Sequence, residues 1–499
     1  MLESLMNEMN LTTTENGAKA YGSTGSDCLD LFATIGAIRR LSKNEIIDRF
    51  IRAFSEDKDL AMKILFYARD IRGGLGERRV FRAILRWLGF NHPESVSKNI
   101  EYIAEYGRFD DVLSLLGTYC EKDVLMYLKK QFDMDIKALE SGGEVSLLGK
   151  WLPSINASCP KTVKNAKKLA RAFGMSFSEY RRALSALRKK IAIIENNLRE
   201  RDYSFDYSKQ ASGAMFKYRK AFIRNDNERY LGFINDVQNG KVKLNASNIM
   251  PYQVVEILLK NHIKGRYYHV NDNDCYISPE EAQVLNATWE SLPDFGTDEN
   301  VLAVVDGSGS MYMYGNPMPI SVAISLGLYC AEHNKGAFSG HFIEFSNKPE
   351  LIKIKGENFV EKVQYISTFD DIADTNLAAV FHTILEFAIK NNVPQDELPS
   401  KLVIISDMEF NCCVNNSSET NFEHAKRVFE ENGYKLPEIV FWNVASRHLH
   451  QEVTMDERGV VLVSGVTPRL FSMVLGENMT PYELMMEVLG GERYKQIAA

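Results

Sequence analysis

The chain has 499 residues, 45% of them hydrophobic, 25% charged and 11% aromatic, a globular composition that excludes wholesale disorder, collagen-like repeats and low-complexity scaffolds. Its net charge of −7 conceals a division: residues 291–499 carry 15 Lys/Arg against 29 Asp/Glu, whereas residues 151–250 hold 20 against 8, a pattern that points to a polyanionic partner. Seven scattered cysteines without a C-x-x-C, no long uncharged apolar run and an acidic N-terminus argue against a disulfide framework, a membrane helix and a signal peptide, so a reduced, cytoplasmic protein is expected.

Residues 1–24 read as a tail. From 25 to 266 the chain reads as successive amphipathic helices, a helical-repeat domain. In DCLDLFATIGAIRRL, Cys28, Leu31, Phe32, Ile35 and Ile38 share one face, and KNEIIDRFIRAF, DLAMKILFYARD, ERRVFRAILRWL, ESVSKNIEYIAEYG and KDVLMYLKKQFDMDIKAL repeat the pattern. Gly73-Gly74, Gly107 and Gly142-Gly143 punctuate it as helix stops. Residues 267–298, rich in Asn, Asp, Pro and Gly, read as a linker. From 299 to 499 strands alternate with helices: VLAVVD, HFIEF, KLVIIS, EIVFWNV and GVVLVSG predict a mostly parallel sheet covered on both faces. ELIKI follows HFIEF too closely for a crossover and is expected as an antiparallel edge strand.

Ligands of open α/β sheets bind at the carboxyl ends of the strands. The first strand ends in VVDGSGSM, which places Asp306, Ser308 and Ser310 at alternate positions; Thr375 precedes a helix and Asp407 ends KLVIIS. Carboxylates and hydroxyls converging there suit a hard divalent cation, Mg²⁺ in particular. This five-residue pattern resembles the metal-ion-dependent adhesion site of von Willebrand factor A domains. The resemblance covers about 295–499 and implies Mg²⁺ held directly or through water, with an open position for a partner's carboxylate. Asp374-Thr375-Asn376 replaces a glycine-led turn, Met408 stands where Gly is usual, and Glu409 lies close by.

ARDIRGGLGERRVFRAILRWL, EYGRFDDVL, KWLPS, KKLARAFGMSFSEYRRALSALRKKI and AMFKYRKAF resemble a family of uncharacterised proteins, a likeness that spans most of 20–490 and has the layout of the Ro ribonucleoprotein: a TROVE-like, HEAT-like helical repeat followed by an A domain. That resemblance implies binding of single-stranded or structured RNA, and possible closure of the repeat into a ring. From the residues themselves, Arg69, Arg72, Arg78 and Arg79 surround Gly73-Gly74, either as a phosphate cradle or as a helix stop whose arginines pair with Asp70 and Glu77. Lys161, Lys164, Lys167, Lys168 and Arg171 recur at helical spacing, and Arg181, Arg182, Arg188, Lys189 and Lys190 continue on a helix opened by a Ser176-x-x-Glu179 capping box. Lys217, Arg219, Lys220 and Arg224 extend the basic stretch. Tyr180, Phe216 and Tyr218 sit among these cations as base-stacking platforms or as core.

No G-x-S-x-G, P-loop or second acid of a haloacid-dehalogenase type occurs, which argues against an enzyme. His448-x-His450 and Cys412-Cys413 hint at a metal but lack partners at proper spacing, and read as loop and packing residues. Three functions follow: a Ro-like RNA-binding ribonucleoprotein; a protein–protein adaptor using the cation site to capture an acidic partner; and a hydrolase with a metal-activated water, for which no general base is identifiable.

Overall fold

The computed structural model describes all residues except 1–8, 268–276, 297–298, 314, 335, 346–347, 370–374, 412–418 and 475–477. Two compact units divide the chain. One, an α/β unit, comprises Met1–Ser42, Ile51–Glu56 and Tyr207–Glu492; the other, all-helical, comprises Lys43–Phe50, Asp57–Asp206 and Arg493–Ala499. The division departs from the expected boundaries at 266 and 299. Amphipathic periodicity announces that a helix has a buried face, not which surface covers it.

The α/β unit holds the expected sheet. Its strands are β3 (Val301–Asp306), β4 (His341–Phe345), β5 (Glu350–Lys353), β6 (Lys401–Ser406), β7 (Glu438–Asn443) and β8 (Val460–Ser464). They lie in the order β5-β4-β3-β6-β7-β8, all parallel except β5, the antiparallel edge. β3 and β6 are fully buried, which their continuous β-branched runs require. Successive side chains alternate between faces: Leu302 and Val304 join a core with Ile404, Phe441 and residues of helices Leu377–Asn391 and Asn421–Glu431. On the other face Val305 meets Gly327 of helix Pro319–His333; a Cβ there would lie 2.4 Å from Val305 Cγ2.

Two segments assigned from sequence to the tail and the linker are structural parts of this unit. β1 (Leu11–Thr13) and β2 (Lys19–Tyr21) pair antiparallel, and Ala18 enters the sheet core. The stretch 267–298 contains helix Pro279–Glu290, capped by Ser278 and burying Val284, Leu285 and Trp289. This helix packs with Ser212–Asn225 and Asn227–Gln238. Helix Asp27–Thr34 also belongs here. Just beyond it Gly36 N donates to Ser464 Oγ at 3.0 Å, and a Cβ on Gly36 would fall 2.4 Å from the Ser464 carbonyl.

In the helical unit the predicted amphipathic runs are helical, Lys58–Arg69, Arg79–Asn91, Glu121–Glu140, Pro160–Ala172 and Phe177–Lys190 among them. ESVSKNIEYIAEYG is two helices, Pro93–Lys98 and Ile100–Tyr106, broken at Asn99. Asp57 caps the first of these runs, proline opens Pro93–Lys98 and Pro160–Ala172, and the Ser176/Glu179 capping box forms as expected. Phe66 packs edge-on against Phe81 and Tyr106, and Phe132 lies against Phe173 and Tyr180. Arg493–Ala499 completes the unit: Arg493 forms a bidentate pair with Asp70, and Tyr494 Oη donates to the same carboxylate at 3.1 Å.

Candidate cation site and basic face

The register that sets Val305 beside Ile405 brings the ends of β3 and β6 together. Asp306, fully enclosed, accepts Ser308 N at 2.8 Å on Oδ1 and Ser406 Oγ at 2.5 Å on Oδ2. The Ser308 and Ser310 hydroxyls are 3.1 Å apart, and the Ser310 hydroxyl is near enough to Asp407 to pull its carboxyl down. Burial, and then the facing Asp407 carboxylate, push the Asp306 carboxyl up; burial likewise raises Asp407 against the opposing pull of Arg447 at 3.1 Å. Two facing desolvated carboxylates, with the Arg447 guanidinium on Asp407, make a site that favours added positive charge.

Four of the five expected cation residues are therefore connected: Asp306, Ser308, Ser310 and Asp407. The Thr375 hydroxyl lies instead within reach of Glu409 O (3.1 Å) and Asn411 Oδ1 (3.0 Å). Asp374 lies outside the described residues, as do Cys275 and the Cys412-Cys413 pair. Met408, in the position where glycine is usual, has φ +67°, a left-handed conformation that a side chain adopts at a cost. Its N–H bonds Ser406 Oγ at 3.1 Å.

A second group, not assembled from the sequence, lies on the same strand ends. Glu409, His448 and His450 each offer a ligand atom, all within 4.8 Å of one another. His448 Nδ1 is 2.7 Å from Glu409 Oε1, and Glu452 Oε1 stands 3.9 Å from His450 Nε2. The segment after β1 braces the group: Glu15 N donates to Glu409 Oε2 at 2.8 Å, Asn16 Nδ2 to Glu409 O at 2.6 Å and Thr14 Oγ1 to Phe410 O at 2.6 Å. His448-x-His450 was the visible half of the signal; its carboxylate partner comes from the segment that follows β6.

The basic residues separate into exposed and structural sets. Lys161, Lys164, Lys167 and Arg171 line helix Pro160–Ala172, with Lys161, Lys164 and Arg171 exposed; Arg181, Arg182, Lys189 and Lys190 are exposed on the next helix. Lys167 and Arg171 both stand over the Phe177 ring, at 5.6 and 5.7 Å. Lys168 is paired with Glu121 at 2.6 Å. Arg188 is a structural clasp, donating to Gly149 O, Leu152 O and Ser154 Oγ. Tyr180 is core, wholly buried.

Lys217, Arg219, Lys220 and Arg224 fall in the α/β unit, so the expected basic stretch is divided between the units. Arg219 is held by Glu281 at 2.9 Å and over Phe216 at 4.8 Å, Lys220 reaches Glu281 at 3.2 Å, and Lys217 lies over Tyr218 at 4.7 Å. Arg224 is exposed. Around Gly73-Gly74, Arg69 is buried against Asp111 at 2.7 Å and Arg72 Nη1 donates to Glu105 O at 2.5 Å. Asp70 takes Arg493 rather than the nearby arginines. Gly74 is fixed by close approach, since a Cβ would lie 2.0 Å from the Tyr67 carbonyl. The loop is built as a clasp; Arg72, Arg78 and Arg79 are exposed beside it.

Among known families, the model described as Domain of unknown function (DUF2828) matches residues 14–136 and 158–294, and that described as Domain of unknown function (DUF7788) matches residues 300–495. "Uncharacterized protein L728" of Acanthamoeba polyphaga mimivirus is 31% identical over 522 residues, covering 96% of this chain and 87% of that protein. Among solved structures, the RO (RSR) protein of Deinococcus radiodurans aligns at 11% identity over 94% of this chain and 100% of that one, with a TM-score of 0.43. At that score the alignment carries no assignment by itself.

Proposed function

The chain belongs to the family that pairs the DUF2828 and DUF7788 regions and includes the mimivirus protein L728, and on that premise we propose that it is a non-enzymatic RNA-binding protein of Ro-like design. The helical unit binds single-stranded or partly structured RNA through the face formed by helices Pro160–Ala172 and Phe177–Lys190. The observation that carries this reading is the exposed array on those helices, Lys161, Lys164, Arg171, Arg181, Arg182, Lys189 and Lys190, with Lys167 beside it and Phe177 set under two of the cations. Cations track phosphates, and a half-exposed ring accepts a base without reading its identity.

In the α/β unit the same proposal assigns Mg²⁺ to Asp306, Ser308, Ser310 and Asp407, directly or through water. The residues fit the ion. An octahedral site with ligands at about 2.1 Å sets adjacent oxygens about 3.0 Å apart, and the two serine hydroxyls stand at 3.1 Å. The ion would supply a docking point for a carboxylate from a partner protein. That arrangement favours the adaptor as the second reading, in which the cation site acts without RNA.

Retention of a labelled homopolymeric RNA strand by the full chain, at low and moderate salt, tests the RNA reading. Binding that weakens steeply with salt and survives EDTA is expected. A folded protein that retains no strand at either salt transfers the function to the adaptor reading.

A further inference from the structure

We propose that Glu409, His448, His450 and Glu452 form a second cation site, of the borderline transition-metal class typified by Zn²⁺, distinct from the oxygen-only site of Asp306 and Asp407. It stands independently of the RNA reading. The site follows from topology. β6 and β7 are parallel neighbours, so the segments that leave them emerge at the same end of the sheet. The segment after β6 carries Glu409, and the segment after β7 carries His448, His450 and Glu452.

The distances suit a tetrahedral ion. Zinc ligands lie at about 2.0–2.2 Å, which places neighbouring donor atoms about 3.4 Å apart. Glu409 Oε1 and His448 Nδ1 are 2.7 Å apart, and His450 Nε2 and Glu452 Oε1 are 3.9 Å apart. Those two pairs straddle the required spacing, and the Glu409, His448 and His450 ligand atoms, all within 4.8 Å of one another, close around an ion by side-chain rotation, with Glu452 joining through His450. His450 exchanges one hydrogen bond in doing so, from Nε2 to the Met408 carbonyl at 3.0 Å.

The independent mark of a ligand site is Glu452. Its Oε1 is enclosed by protein and has no hydrogen-bond partner among the described residues, and the residue is 4% exposed. An unsatisfied carboxylate oxygen in the interior costs free energy unless a proton or a cation compensates it. Arg447, the nearby guanidinium, is engaged with Glu15 and Asp407.

The remaining features are those of a supported metal shell. Glu409 keeps the Glu15 N–H on its Oε2, an outer contact that fixes ligand orientation, while Oε1, which faces His448 Nδ1, turns to the ion. His448 is 54% exposed in its side chain and provides the way in, whereas His450 is 5% exposed. Two imidazoles with carboxylates select zinc, cobalt or nickel over magnesium, which prefers oxygen and keeps its waters.

The experiment titrates the full-length protein with chelator-buffered Zn²⁺ in excess Mg²⁺, with Co²⁺ absorption as a second readout of tetrahedral coordination. One zinc per chain is expected to persist against magnesium. His448→Ala and Glu452→Gln should each weaken it at least about 10-fold, while Asp306→Ala, which dismantles the oxygen-only site, should retain it. Because His448 is largely exposed, its alanine variant folds and keeps the test decisive even where Glu452→Gln does not. Absence of zinc under magnesium, unchanged affinity in His448→Ala, or loss of zinc in a folded Asp306→Ala would each overturn the proposal.

Discussion

Replacing Lys164, Lys167 and Arg171 together with glutamine removes three positive charges from one helix face while leaving its buried side, Ala166, Leu169 and Ala170, intact. Lys168 is spared, because its ammonium already pairs with Glu121. For single-stranded nucleic acid each neutralised phosphate contributes about −0.7 to the slope of log K against log salt concentration. With about six cations of the two helices on phosphates, the slope is about −4, and affinity falls about 300-fold between 50 and 200 mM salt. Three fewer contacts leave a slope of about −2 and a fall of about 20-fold over the same range. Glutamine is preferable to glutamate because it deletes contacts without adding repulsion. Equilibrium binding of a labelled strand to the full chain at four or five salt concentrations, with thermal unfolding as a folding control, reads both quantities. A folded triple variant with the wild-type slope would refute the assignment of this face to phosphates.

Other expectations follow from the two units. Magnesium at 100 times its dissociation constant should stabilise the protein by about 2.7 kcal/mol, and Asp306→Ala should abolish that response in thermal unfolding. Arg493→Ala should cost about 3 kcal/mol in urea denaturation, because it strips the partner from the buried Asp70 carboxylate. Burial alone would raise the Asp70 carboxyl, but the Arg493 bond and the backbone N–H groups of Arg72 and Gly73 hold it below its ordinary value. Its contribution is thus fully present above the unfolded carboxylate pKa of about 4 and lost as pH falls through the lower folded value; a pH series of wild type and Arg493→Ala should converge in acid. Gly36→Ala should destabilise the α/β unit by about 1–3 kcal/mol, read by the same denaturation, since the new methyl meets the Ser464 backbone. Arg188→Ala should lower stability and leave the salt slope unchanged, the opposite of the lysine variants.

The sheet was legible because both of its signals are local. A strand buried on both faces is a continuous apolar run, and the residues that follow it are at the ligand-binding edge by construction. Asp306, Ser308 and Ser310 could therefore be placed from VVDGSGSM alone. Glu409 with His448 could not: the two are 39 positions apart, and only the pairing of β6 with β7 brings them together. The short strands at Leu11–Thr13 and Lys19–Tyr21 gave too few residues for an alternation to register. Arg188 shows the limit of charge counting, since a guanidinium that clasps three backbone and hydroxyl oxygens has the same letter as one facing solvent. Helical periodicity located nearly every helix but was silent on whether Asp27–Thr34 packs on a sheet or on other helices.

The partition of the chain carries a consequence for biogenesis. The backbone enters the helical unit at Lys43, leaves it for Ile51–Glu56, returns until Asp206, and re-enters at Arg493 after the whole sheet has been made. Asp70 waits 423 positions for its guanidinium. A ribosome that has released the helical segment has therefore delivered a unit with an uncompensated buried acid and an open seat for Tyr494 and Ile497. Its last increment of stability arrives only when the downstream sheet sequence has been translated. Cutting the polypeptide near residue 290 leaves that seat vacant, so the excised half should expose this weakness to proteases, and adding a peptide spanning 493–499 in trans should protect it.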